Sequence, residues 1–179
     1  MTKDQRISIT VVSLAAVAVL AAIIYPVFAQ NGVSGKTRDF IEKAAQGGLY
    51  EVRSSEVALQ RAQRGDVRSF AQKMIEDHTE ANQDLKTAIS QAGIAFEPPT
   101  VLDDAHQGKV KELGEADVED IDEDYIEDQI EAHEKTIELF EEYAEDGDNT
   151  HLQQFASRTL PILRGHEEMI KNIDEVEVE

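Results

Sequence analysis

Residues 67–92 read VRSFAQKMIEDHTEANQDLKTAISQA. Val67, Ala71, Met74, His78, Ala81, Leu85, Ala88 and Ala92 recur at alternating steps of four and three, the period of a helix with one buried face. Gly93 closes the segment, and Arg64-Gly65-Asp66 opens it as a turn with a helix-stopping Gly and a capping Asp. The stripe is apolar except at its middle, where His78 stands.

The same pattern extends in both directions. Upstream, a helix is expected from Arg38 to Arg64, capped by Thr37, with Ile41, Ala44, Gly48, Glu51, Ser55, Ala58 and Ala62 on its buried face. Downstream, Glu97-Pro98-Pro99-Thr100 cannot be helical and begins a connection. A short helix over Asp103–Leu113 follows, ended by Gly114. A third long helix is expected from Val118 to Glu145, with a stripe of Ile126, Ile130, His133, Ile137, Phe140 and Ala144. After the turn Asp146-Gly147-Asp148-Asn149 comes a fourth, Thr150–Ile173, with Leu152, Phe155, Thr159, Ile162, His166, Met169 and Ile173. Pro161 lies inside it and opens one helical hydrogen bond. Four amphipathic helices, two short turns and one long connection predict an all-α four-helix bundle with a short extra helix between the second and third. The bundle occupies residues 38–173, between a polar linker (30–37) and an acidic tail (174–179).

Lys3 and Arg6 precede an apolar run from Ile7 to Tyr25, followed by Pro26, Val27, Phe28 and Ala29. A basic start, an apolar stretch and small closing residues predict export by a signal peptide over residues 1–29, cleaved after Ala29. The run is also nearly long enough to remain as a membrane anchor. Either outcome places the domain in the cell envelope, periplasmic or extracellular, with the membrane as a partner if the segment is retained.

The formal charge is −20, which excludes phosphate-backbone recognition, so no nucleic acid partner is expected. Between Glu97 and Asp148 stand 21 Asp/Glu against 3 Lys/Arg. No Asp-x-Asp-x-Asp-Gly loop accompanies them, so this region reads as a solvated face rather than a calcium site. There is no cysteine, which rules out disulfides, thiol catalysis and iron–sulfur ligation by thiolate. No serine-nucleophile or phosphate-cradling motif is present. Neither a protein partner nor an oligomeric state is legible in the pattern.

Each long stripe carries one group foreign to a hydrophobic core: Glu51, His78, His133 and His166. Glu51 and His78 lie 14 and 13 residues from Gly65, and His133 and His166 about 16 from the turn at Asn149–Thr150. At 1.5 Å per residue, all four stand roughly 20 Å from a turn, at mid-bundle. One carboxylate and three imidazoles in one layer form a ligand set for a single transition metal ion: zinc, iron, copper or nickel. Asp77, Ser55 and Thr159 are placed to orient those ligands by hydrogen bonds. Two alternatives stand beside this. One is a metal-free buried polar layer in a non-catalytic structural, stress-protection or interaction domain. The other is a hydrolase with Glu51 as base beside a zinc-bound water. His106 and His151 are expected to be exposed.

Gly47-Gly48-x-x-Glu51-Val52, Phe70-Ala71-x-x-Met74-x-x-Asp77-His78 and Leu160-Pro161-x-Leu163-x-x-His166, with Asp122-x-x-Tyr125 and His133 between, resemble the signatures of a known family. The chain is similar to the exported bacterial ferritin-like proteins called domain of unknown function 4142, from about Asp39 to Ile170. The resemblance implies a ferritin-like bundle and an envelope location, and no activity. Ferritin-like di-iron proteins carry Glu-x-x-His pairs. Here Ile75, Ile130 and Leu163 stand three residues before the histidines, which points away from di-iron chemistry and toward a mononuclear site.

Overall fold

A computed structural model describes residues 32–176. The targeting segment expected over residues 1–29, and the last three residues of the tail, lie outside this range. Among the described residues there are five helices and no strand: α1 (Gly35–Arg61), α2 (Gly65–Gln91), α3 (Asp104–Glu115), α4 (Ile121–Asp146) and α5 (Thr150–Glu175). None of these helices is long and apolar enough to cross a membrane.

The buried stripes explain the packing. All seven stripe positions of α1, from Ile41 to Ala62, are buried. In α5 the stripe runs instead through Leu152, Ala156, Thr159, Leu163, His166 and Ile170, while Ile162 is 50% exposed. The cause is helical phase. From Leu152, eleven residues to Leu163 make about three turns, whereas ten residues to Ile162 fall about 80° short. Pro161 shares the exposed face, and its missing N–H leaves the Ser157 carbonyl without its helical donor.

Helix ends differ from expectation where side chains from elsewhere take part. The N-cap of α1 is Ser34, which accepts from the Thr37 N–H (2.9 Å), so the helix begins inside the expected linker. Thr37 is buried and hydrogen-bonds Tyr143 Oη (2.6 Å) and Asp148. The turn between α1 and α2 is not capped by Asp66, which lies in the first turn of α2. The carboxylate of Asp122 on α4 accepts the N–H groups of Gln63 (3.1 Å) and Arg64 (3.0 Å). Asp103 caps α3 by accepting from His106 N (2.9 Å). Asn149 caps α5 by accepting from His151 N (3.0 Å) and Leu152 N (3.2 Å).

These contacts also define the topology. Lys36 at the start of α1 donates to the Asp146 carbonyl at the end of α4 (2.8 Å), and Asp122 at the start of α4 accepts from the turn that follows α1. Hence α1 and α4 are antiparallel. Arg64 before α2 donates to the Ile173 carbonyl near the end of α5 (2.9 Å), so α2 and α5 are antiparallel too. The connection from α2 to α4, carrying α3 against α1, must therefore cross the length of the bundle. A four-helix bundle with one long crossover is the ferritin-like arrangement.

The apolar interior has two parts. One, around Phe40, Phe140, Tyr143 and Phe155, fills the end where α1 begins, with Phe40 and Tyr143 stacked at 4.0 Å. The other, around Phe70, Met74, Tyr125 and Ile126, fills the opposite end. Between them lies a polar layer.

Candidate metal centre

Each of the four long helices contributes to that layer. Glu51 on α1, His78 on α2, His133 on α4 and His166 on α5 are 2%, 5%, 1% and 2% exposed. The three imidazoles form a nearly equilateral triangle, with ring centroids 5.7 Å apart for His78–His133, 5.4 Å for His78–His166 and 5.5 Å for His133–His166. Each can offer one ring nitrogen, and these nitrogens lie within 4.8 Å of one another. Tetrahedral ligands on a metal with bonds of about 2.0–2.1 Å stand about 3.3 Å apart, so the rings close on an ion by about 1.5 Å at most.

Two of the imidazoles are fixed from behind. His133 Nδ1 lies 2.9 Å from the Gln129 carbonyl oxygen, which can only accept, so Nδ1 carries the proton and Nε2 keeps its lone pair. His166 Nε2 lies 2.7 Å from Asp77 Oδ2; the carboxylate makes Nε2 the donor and frees Nδ1. Lys73 Nζ, 2.7 Å from the same carboxylate oxygen, anchors Asp77 in turn. A histidine whose second nitrogen donates to a carboxylate or a backbone carbonyl has the arrangement that orients imidazoles on metals.

The atoms left over converge on this layer. His78 Nε2, His133 Nε2, His166 Nδ1, Glu51 Oε2 and Gln129 Oε1 are buried and have no hydrogen-bond partner. An unpaired buried polar group costs about 1–3 kcal/mol. A self-sufficient polar network would have paired these atoms with one another.

Burial also favours the neutral form of His78 and His166, in which one ring nitrogen keeps its lone pair. It pushes His78 well below its ordinary value, helped by the neighbouring His133 and His166. It brings His166 to about 4, against the pull of Asp77 in the other direction. Burial raises Glu51, which the proximity of His133 and Gln129 only partly opposes.

The carboxylate of Glu51 does not join the triangle. Its Oε1 approaches His133 at Nδ1 (3.8 Å), the edge already turned to Gln129, rather than the free Nε2. Glu51 and His78 border a small cavity of about 20 Å³ beside Gly48, room for one water molecule. The expected orienting roles divide. Asp77 contacts a histidine. Ser55 instead hydrogen-bonds Tyr125 Oη (2.8 Å), and Thr159 donates to its own helix at the Phe155 carbonyl (2.9 Å). Both hydroxyls have satisfied partners nearer than any imidazole. Gln129, wholly buried one turn before His133, was not singled out in the sequence, where it lies beside the apolar stripe. His106 is half-buried with Nδ1 on Asp103 Oδ1 (2.8 Å), and His151 is exposed. Within the acidic stretch, Lys109 bridges Asp128 (3.0 Å) and Glu131 (2.7 Å).

The profile described as "Domain of unknown function (DUF4142)" matches residues 26–173, and the chain belongs to that family. It is also similar in fold to the crystal structure of a DUF305 fragment from Deinococcus radiodurans, with a TM-score of 0.66. That match has 15% identity and covers 79% of this chain and 97% of the other. Comparison with curated proteins returned no match.

Proposed function

We propose that this protein is an envelope metal-binding protein that holds one transition metal ion at mid-bundle through His78, His133 and His166. The observation that carries the reading is the triangle of three imidazoles, each with an unpartnered buried nitrogen. Neutral imidazole donors suit zinc, copper, iron or nickel. Asp77 and the Gln129 carbonyl preset two of the rings. Glu51 stands behind His133, with Oε1 3.8 Å from Nδ1, rather than among the ligands. The envelope location rests on Lys3, Arg6 and the apolar run that follows them.

The test is titration of the metal-free protein with zinc, copper, nickel and ferrous ions against chromophoric chelators. One equivalent bound by the wild type, and lost in a His78→Ala/His133→Ala variant that remains helical, is the expected result. A folded wild type that takes up none of these ions would leave a metal-free structural layer as the better account.

A further inference from the structure

Two of the three histidines border a groove on the surface of the bundle. This groove, of about 390 Å³, runs between α2 and α5, and His78 and His166 form part of its wall beside Asp77, Thr159 and Met169. Asp77, Glu80 and Asp84 outnumber Lys73 along it, which biases it toward cations. Met169 is half-buried and stands three residues after His166, one turn along the same face. The two methionines among the described residues both flank the triad. Met74 stands four residues before His78 but is wholly buried, so Met169 alone meets the groove.

Taking the triad reading as its basis, we infer that the ion is copper(I), that it enters through the α2–α5 groove, and that the Met169 thioether is its first ligand on the way in. The donors at the triangle are all neutral, and the carboxylate of Glu51 stands apart from them. The cost of burying an ion rises with the square of its charge, so a monovalent ion in this core costs about a quarter as much as a divalent one. Copper(I) is satisfied by three donors, whereas structural zinc sites are completed by a fourth protein ligand. A thioether is a soft donor that favours copper(I), and no cysteine competes for it.

The test is anaerobic metal transfer to the full-length metal-free protein, from the bicinchoninate complex of copper(I) and, separately, from a chromophoric zinc complex. The wild type is expected to take one equivalent of copper(I) that excess zinc does not displace. Met169→Leu is expected to slow copper(I) uptake on the order of ten-fold, the scale on which residues around a metal site act, and to leave zinc uptake unchanged. Met74→Leu, away from the groove, should change neither. Copper(I) uptake at the wild-type rate in Met169→Leu, or ready displacement by zinc, would overturn the inference. Zinc uptake without copper(I) uptake, abolished by His133→Leu, would overturn it and leave the triad reading standing. No uptake of either metal would overturn both.

Discussion

Asp77 Oδ2 stands 2.7 Å from His166 Nε2, so a carboxylate on α2 fixes the ring of a histidine on α5. The contact ties two helices at the level of the triad and turns His166 Nδ1 toward the other imidazoles. In Asp77→Asn the amide can still occupy the space but no longer holds the ring as a charged acceptor. Metal affinity is expected to fall about 10- to 100-fold, measured by chelator competition. The helical signal should be unchanged, because Asp77 is partly exposed.

His133→Leu separates metal binding from folding. The substitution removes an imidazole that carries an unpartnered buried nitrogen, and the Gln129 carbonyl keeps its helical N–H. The metal-free variant is expected to melt within a few degrees of the wild type, or above it. Metal at a free concentration of 100 Kd should stabilise the wild type by about 2.7 kcal/mol and leave the variant unaffected. Thermal melts with and without metal read both effects.

Stability of the metal-free protein should fall as the pH drops through the histidine range. His166 is held at about 4 and His78 well below its ordinary value, whereas the unfolded chain takes up protons near pH 6.5. From about 6.5 down to about 4 the unfolded state binds more protons, so acid favours unfolding. Glu51 works in the opposite sense. Its raised pKa keeps the folded state protonated where the unfolded carboxyl has ionised, so its contribution shrinks as pH rises. Glu51→Gln removes that opposition. Its urea midpoint should decline more steeply than that of the wild type between pH 7 and 5; equal slopes would contradict this assignment of charge.

Gly147 sets the α4–α5 turn that brings His133 and His166 to one height. A Cβ there would lie 2.4 Å from the Tyr143 carbonyl oxygen and 2.7 Å from its ring. Backbone cannot yield as a side-chain tip does, so Gly147→Ala is expected to cost about 1–3 kcal/mol by denaturant unfolding. Gly165→Ala, with nothing within 4 Å, should cost none.

The parts of the fold written in helical period were legible. The stripe of α1 is buried at every expected position, and equal distances from the turns placed His78, His133 and His166 in one layer. What was not legible depends on groups brought together by folding. The α5 stripe takes Leu163 rather than Ile162 because four residues from Thr159 overshoot a full turn by about 40° while three fall about 60° short, a small difference that two adjacent apolar residues leave open. The turn before α2 is held by Asp122, 56 residues beyond Asp66, and no local pattern announces it. The heights could place Glu51 in the layer, but not show that its carboxylate meets the back of His133. Gln129 escaped notice because its contribution is a backbone carbonyl, a group every residue has.

The most direct test of the central claim is the metal content of the protein purified from its own cells without tags or chelators, measured by mass spectrometry beside the His78→Ala/His133→Ala variant. About one transition metal ion per chain is expected in the native protein and none in the variant. A natively folded protein without metal, or equal metal in both, would contradict it.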